Sequence, residues 1–293
     1  MCDEQTLREW STYLKDHPPV SRRAFGALSA GAGLAAVLPK VANAQAVTES
    51  DVEITTPDGV ADCYFVHPSS GTHPGVIVWP DILGLRPAFR QMGRRLAESG
   101  YSVLVVNPFY RDARAPVAPE GATFNDPEVR TTVFALAGAL NPETHVTDAV
   151  AFVDFLDEQD AVAADRMMGT TGYCMGGPMV MRTAAARADR IGAAATFHGG
   201  GLASADNDAS PHLLIPQMSA DFLIAIAEPD DTNDPDAKDL LREAFDAEGL
   251  SAEIEVYAGA QHGWCPPDSA VYHEEQAERA WSRLLVLFEG GLA

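Results

Sequence analysis

The sequence predicts an α/β protein in which a mostly parallel central sheet carries helices on both faces. From Asp51 onward, short apolar runs typical of buried parallel strands alternate with segments of helical spacing. The composition, with 46% hydrophobic and 21% charged residues over 293 positions, is typical of a globular protein. Because no repeat, low-complexity tract or linker interrupts the sequence beyond residue 50, we expect one domain over residues 45–293.

The elements of this domain follow from local patterns. Strands are predicted over 52–56, 61–66, 75–79, 102–106, 167–173, 192–197, 222–227 and 252–257. The turn Pro57-Asp58-Gly59 joins the first two strands into an antiparallel hairpin. Helical spacing is predicted over 87–99, 146–156 and 281–288. Asp126-Pro127 and Asp234-Pro235 each place a capping side chain before a proline, which predicts two further helix starts.

Residues 1–44 have the order of an export signal and are expected to lie outside the fold. Arg22-Arg23 is a twin-arginine pair, and Ala42-Asn43-Ala44 is a small-residue cleavage site before Gln45. The weakly apolar run between them, 24–38, is shorter than the roughly 20 residues that span a bilayer. We therefore expect cleavage, a periplasmic location and no membrane contact after processing.

A mobile N-terminal helix is the alternative reading of this segment. Signals of this kind rarely have so long a polar stretch before the arginine pair, and here that stretch includes Trp10 and Tyr13.

The charge and the cysteines exclude several classes of function. Only 20 basic residues accompany 42 acidic ones, and the net charge of −22 argues against nucleic acid and anionic membranes. The four cysteines have no C-x-x-C spacing, which argues against a zinc knuckle or a dithiol centre. In an exported protein Cys63 and Cys265 could pair. The acidic run 230–236 lacks the glycine and glutamate of a calcium loop, and 199–201 lacks the dinucleotide fingerprint.

The segment Gly172-Tyr173-Cys174-Met175-Gly176-Gly177 has the pattern of a nucleophile elbow. It follows a predicted strand and precedes a helical segment, and glycines flank the central residue as in G-x-S-x-G. Here the nucleophile would be Cys174, whose thiolate gains from the helix N-terminus, and the N–H of Met175 points to where an oxyanion would form. The alternative is a buried structural cysteine in a glycine-rich turn.

Two further residues complete the set that a nucleophilic hydrolase needs. Asp230 follows the strand predicted at 222–227, and His262 follows the strand at 252–257. The order nucleophile, acid, histidine is that of α/β-hydrolases, in which the histidine moves the proton and the acid orients the imidazole. Asp231 is the alternative acid, and a turn histidine packed on Trp264 is the alternative for His262.

Four other motifs fall after predicted strands: Pro80-Asp81-Ile82-Leu83-Gly84, Asn107-Pro108-Phe109-Tyr110, Phe197-His198-Gly199-Gly200-Gly201 and Gln261-His262-Gly263-Trp264. Together with the elbow, and in order over about 50–290, they resemble the dienelactone hydrolase family. This resemblance implies an α/β-hydrolase fold and a cysteine-dependent hydrolase of small esters or lactones, without a cofactor. It also implies catalysis by Cys174, Asp230 and His262, with the N–H groups of Ile82 and Met175 as oxyanion hole. The scattered His262, Cys265 and His273 lack a second ligand cluster, so we expect no metal.

The chain departs from the family pattern at two positions. Asp81 stands where the family has a glutamate that engages the resting thiol, so Asp81 is a candidate for tuning Cys174. Pro266 stands where the family has an arginine for a substrate carboxylate, and Arg130 is a candidate for a second such arginine. We therefore expect neutral substrates, with Trp264 as an aromatic wall of the site.

We expect a monomer acting on a small-molecule ester or lactone. The alternative function is a non-catalytic member of the same fold that binds a ligand or senses oxidants through its thiol.

Overall fold

The structure is a computed structural model that describes residues 4–16, 38–42, 44–119 and 121–293. Its centre is an eight-stranded sheet of order β1-β2-β4-β3-β5-β6-β7-β8. The strands are β1 Val47–Thr56, β2 Gly59–Pro68, β3 Gly75–Trp79, β4 Ser102–Val105, β5 Met168–Tyr173, β6 Ile191–Phe197, β7 Asp221–Ala227 and β8 Ala252–Tyr257. Strand β2 pairs antiparallel with β1 and β4, whereas β3 to β8 are parallel. The predicted α/β-hydrolase fold, with a mostly parallel sheet, is confirmed.

Helices cover both faces of this sheet. They are α1 Glu4–Asp16, α2 Pro87–Glu98, α3 Pro127–Gly138, α4 Pro142–Asp157, α5 Gly176–Ala186, α6 Glu228–Asn233, α7 Ala237–Glu248 and α8 Glu274–Gly291, with a 3₁₀ helix over Pro211–Gln217. Helices α4, α5 and α7 enclose one apolar core, and α2 and α8 enclose the other. Successive residues of β3 alternate between the two cores, which is why its sequence is continuously apolar.

One predicted helix start is displaced. Asp234-Pro235 predicts a helix that begins at Pro235, but α7 begins at Ala237 and its N-cap is Asp236. Asp234 instead ends the short helix α6, where its backbone N–H donates to the carbonyl of Asp230. The aspartate before the proline therefore closes one helix rather than opening the next.

We expected residues 1–44 to lie outside the fold, but the N-terminal helix α1 packs against it. Trp10, on one face of α1, is 6% exposed and packs in a cluster with Ile82 and Cys174. A single aromatic residue in a polar stretch gives little sequence signal, so this packing was not predicted. The twin-arginine pair lies outside the described residues, and the signal that it would form stays a prediction.

Two further expectations concern the cysteines and the membrane. Cys63 and Cys265 are buried without a disulfide, and they lie in the cores on opposite faces of the sheet, which rules out the pairing considered above. Within the described part of the chain, the helices are all too short or too polar to cross a bilayer.

Candidate active site

The carboxyl ends of four parallel strands meet at one edge of the sheet and bring the candidate residues together. Ile82 follows β3, Cys174 follows β5, Asp230 follows β7 and His262 follows β8. In a sheet of this kind the loops beyond the carboxyl ends form the ligand crevice. Strands β3 and β5, which position Ile82 and Cys174, are fully buried, whereas β8, which precedes His262, is the partly buried edge strand.

Cys174 has the strained backbone of a nucleophile elbow. Its φ angle is +52°, a conformation that non-glycine residues rarely adopt, and its N–H donates to the carbonyl of Phe197 at 3.0 Å. A Cβ added to Gly172 would lie 2.5 Å from the carbonyl oxygen of Gly176, and one added to Gly176 would lie 2.4 Å from that of Trp79. Both glycines are required because backbone passes directly over them.

His262 is held by Asp230. Its Nδ1 lies 2.8 Å from Oδ2 and 2.9 Å from Oδ1 of that carboxylate, and the side chain is buried. The other candidate acid, Asp231, accepts a hydrogen bond of 2.6 Å from Lys238 instead. Burial alone would lower the pKa of His262, but the charges of Asp230 and Cys174 outweigh it and raise the pKa to about 10.

The Nε2 atom of His262 is directed to the nucleophile. It is buried without a well-formed hydrogen bond among the described residues, while the Cys174 thiol lies within its hydrogen-bonding range. Contacts of this kind are often long before substrate binds. The arrangement can carry a proton between the thiol and a leaving group.

His198 is a residue whose place at the site the sequence reasoning missed. It follows β6 with a φ of +42°, is fully buried, and its ring centroid lies 5.2 Å from that of His262. Its two ring nitrogens are buried without a well-formed hydrogen bond among the described residues, and the nearby Cys174 thiol acts on the ring electrostatically. Burial lowers the pKa of His198 and favours its neutral form. The usable signal was a histidine directly after a parallel strand that neighbours the elbow strand.

The backbone N–H groups proposed for the oxyanion hole have no intramolecular acceptor among the described residues. Ile82 and Met175 follow the neighbouring strands β3 and β5, and Ile82 lines a cavity together with Cys174. The turn that presents Ile82 is fixed by Asp81, whose side chain accepts from the N–H of Leu83 at 2.9 Å and whose carbonyl accepts from that of Gly84 at 2.9 Å.

The carboxylate of Asp81 forms its hydrogen bonds mainly with a buried arginine and not with the Cys174 thiol. Arg86 donates to both of its carboxylate oxygens at 2.7 and 2.9 Å, and it also donates to both oxygens of Asp268 at 2.7 and 2.9 Å. Burial raises the pKa of Asp81, Arg86 opposes that rise, and Cys174 adds to it. Asp81 is thus electrostatically coupled to Cys174 while its hydrogen bonds stabilise the β3–α2 loop.

Two residues predicted for substrate contact lie elsewhere. Contrary to that expectation, Trp264 is fully buried and stacks on Tyr257 at 5.3 Å between ring centroids, and it does not line the cavity at Cys174. Arg130 donates to the carbonyls of Phe124 and Asn125 and is also absent from the cavity wall. In both cases the side chain contacts other residues of the protein, Tyr257 for Trp264 and two backbone carbonyls for Arg130, instead of the cavity.

Among the residues that the structure describes, no group of three or more His, Cys, Asp or Glu side chains is arranged to hold a metal ion.

A nucleophile elbow, an acid and a histidine in this order on a mostly parallel sheet define an α/β-hydrolase. The chain belongs to the dienelactone hydrolase family, whose model matches residues 61–291. It is therefore a hydrolase of the carboxylic ester type.

Individual relatives agree with this assignment. The chain is 27% identical over 229 residues to a Salmonella typhi protein provisionally named carboxymethylenebutenolidase, covering 77% of this chain and 81% of the relative. It is 25% identical over 235 residues to the carboxymethylenebutenolidase of Rhodococcus opacus, covering 77% and 85%. A provisionally named dienelactone hydrolase from Klebsiella pneumoniae has the same fold, with a TM-score of 0.71, 23% identity, and coverage of 84% of this chain and 100% of that structure.

Proposed function

We propose that this chain hydrolyses a small, uncharged carboxylic ester or lactone through a thioacyl intermediate on Cys174. The observation that carries the proposal is the line of contacts from Asp230 through His262 to the thiol at the end of β5. The acid fixes the proton on Nδ1, so the basic Nε2 is the atom that exchanges a proton with the nucleophile. An imidazolium beside Cys174 stabilises the thiolate form, which is the nucleophile.

In the first half-reaction the thiolate of Cys174 attacks the carbonyl carbon. The carbonyl oxygen becomes an oxyanion that the N–H groups of Ile82 and Met175 stabilise. When the tetrahedral intermediate collapses, the bond to the leaving oxygen breaks and His262 gives that oxygen its proton. The products are an alcohol, or the opened end of a lactone, and a thioester on Cys174.

In the second half-reaction His262, now neutral, removes a proton from water. The resulting hydroxide attacks the thioester carbon, the same N–H groups hold the oxyanion, and the carbon–sulfur bond breaks. This step releases a carboxylic acid and restores the thiolate beside the imidazolium. No cofactor is needed, because the atoms and charges balance with water alone.

The charges around the cavity favour a neutral substrate. Arg86 is the one cationic side chain among the described residues that line it, and it faces the two carboxylates of Asp81 and Asp268. Its charge is therefore already neutralised and is not offered to a substrate carboxylate. The name of the Rhodococcus opacus relative, carboxymethylenebutenolidase, supports a lactone as the substrate class, although the lactone in that name carries a carboxyl group.

We also propose that the enzyme is exported. The proposal rests on the order of the arginine pair and the small-residue site before Gln45 in the sequence. N-terminal sequencing of the protein from periplasmic and cytoplasmic fractions of the native cell tests it. Periplasmic protein beginning at Gln45 is expected, and protein with an intact Met1 confined to the cytoplasm would refute it.

The hydrolase proposal is tested by screening the purified protein against lactones, aryl esters and thioesters. For the best substrate, Cys174→Ala should reduce kcat by roughly 10³-fold or more, and Cys174→Ser should restore only part of it. Cys265→Ala is the matched control, because it removes a buried thiol that lies outside the cavity. Near-normal turnover by Cys174→Ala would show that another group attacks the substrate.

A further inference from the structure

Trp10 of helix α1 packs on the part of the chain that carries the candidate base. Its indole N–H donates to the backbone carbonyl of His262 at 2.9 Å, across a sequence separation of 252 residues. The ring lies against Gly263, since a Cβ on that glycine would be 3.1 Å from indole Cζ2. The ring also packs edge to face on Phe124, at 6.2 Å between centroids. The indole is thus fixed by one hydrogen bond and two ring contacts.

The other apolar residues of α1 lie on the same helical face as Trp10 and pack against the same part of the protein. Thr6 is buried, and Leu7, Tyr13 and Leu14 pack against the cluster that contains Trp10 and the nucleophile. These positions recur at the spacing of one helical stripe. At one edge of this stripe, the side-chain amide of Asn233 donates to the carboxylate of Glu9 at 2.7 Å. The helix therefore covers the carboxyl edge of the sheet along several turns.

The cavity beside the nucleophile is small, and the indole of Trp10 forms part of its wall. Trp10, Ile82, Cys174 and His198 line one cavity of about 40 Å³. That volume holds about one water molecule, whereas pockets for small-molecule ligands usually measure about 300–1,000 Å³. A larger groove of about 350 Å³ adjoins it, and the two share Arg86 and Asp268.

We propose that Trp10 limits the size of the substrate at this site. While α1 is docked, its indole leaves room on Cys174 only for short acyl groups. This inference rests on the proposed function, because it assigns the cavity at Cys174 to the acyl group. Trp10 also precedes the proposed cleavage site before Gln45. Export would therefore remove the restriction, so that the precursor and the processed enzyme differ in the acyl groups they accept.

The test uses the full-length chain and two p-nitrophenyl esters, the acetate and the hexanoate. In Trp10→Ala the ratio of kcat/KM for hexanoate over acetate should rise by roughly 10- to 200-fold, the range over which a change in an apolar pocket alters discrimination. Trp10→Phe, which keeps an aromatic ring, should give a smaller rise. Ser11→Ala, on the exposed face of α1, is the matched control and should leave the ratio unchanged. An unchanged ratio in folded Trp10→Ala would overturn the inference.

A second readout does not depend on hydrolysis. Alkylation of Cys174 by iodoacetamide and by the bulkier fluorescein-5-maleimide is followed by mass spectrometry of its peptide. Trp10→Ala should accelerate the bulkier reagent more than the smaller one. If it does so in a protein that hydrolyses no ester, the size restriction stands and the proposed function fails. If the protein is an active esterase but neither the ester ratio nor the reagent ratio changes, the role of Trp10 is refuted.

Discussion

Substituting Gly176 by alanine should disable the site by moving the backbone that surrounds it. The new Cβ would lie 2.4 Å from the carbonyl oxygen of Trp79, whereas ordinary contact begins at 3.4 Å, so a displacement of about 1 Å is required. Trp79 cannot yield easily, because it is fully buried and pairs with Gly172 in the sheet. The displacement therefore reaches Cys174 on one side and the N–H of Ile82 on the other.

A misplacement of about 1 Å costs roughly 10²-fold in rate, and overpacking costs about 1–3 kcal/mol in the free energy of unfolding. The assay is kcat/KM for the best ester of the panel, together with the Tm from thermal unfolding. Gly138→Ala is the matched control, because nothing lies within 4 Å of a Cβ there and the glycine ends a helix. If folded Gly176→Ala keeps wild-type kcat/KM, the elbow does not position the reacting groups as argued.

Three further predictions follow from the contacts at the site. Asp230→Asn should reduce kcat by up to roughly 10⁴-fold, the loss known for a triad acid, while Asp231→Asn should change it little; equal losses would contradict the pairing. The pKa of His262 is about 10, so the imidazolium stabilises the Cys174 thiolate and alkylation of Cys174 should stay fast at pH 6–7. In His262→Ala the alkylation rate should fall as the pH drops below about 8.5, the ordinary pKa of a cysteine. Identical alkylation profiles would refute the ion pair. Neutral esters should have a higher kcat/KM than a carboxylate-bearing lactone by roughly 10- to 150-fold, and a preference for the anion that weakens in Arg130→Ala would contradict this.

The parallel sheet and the elbow were predictable because short segments specify them. Strand β3 has the predicted bounds, since its apolar run lies between Gly75 and Pro80 and both cores bury it. The elbow is recognisable because two glycines must flank its turn, and the structure gives the reason in contacts of 2.4 and 2.5 Å. Such steric requirements are local in sequence and leave a readable pattern.

The parts that were not predicted depend on distant contacts. Arg86 neutralises Asp81 and Asp268 at once, although 182 residues separate it from the second carboxylate. Trp264 was expected to contact the substrate, but it is buried in the core. The aromatic residue that lines the cavity is Trp10, which belongs to the segment assigned to the export signal. Nothing in the local sequence states which aromatic residue reaches the cavity, because that is decided by packing between elements.

Direct observation of the thioacyl intermediate tests the central claim most sharply. The full-length protein is mixed with excess p-nitrophenyl acetate, quenched in acid within the first turnovers, digested and analysed by mass spectrometry. The account predicts one acetyl group on the peptide that contains Cys174, a matching burst of p-nitrophenol, and neither in Cys174→Ala. Steady hydrolysis without a burst and without acylation of Cys174, or acylation of another residue in its place, would contradict the account.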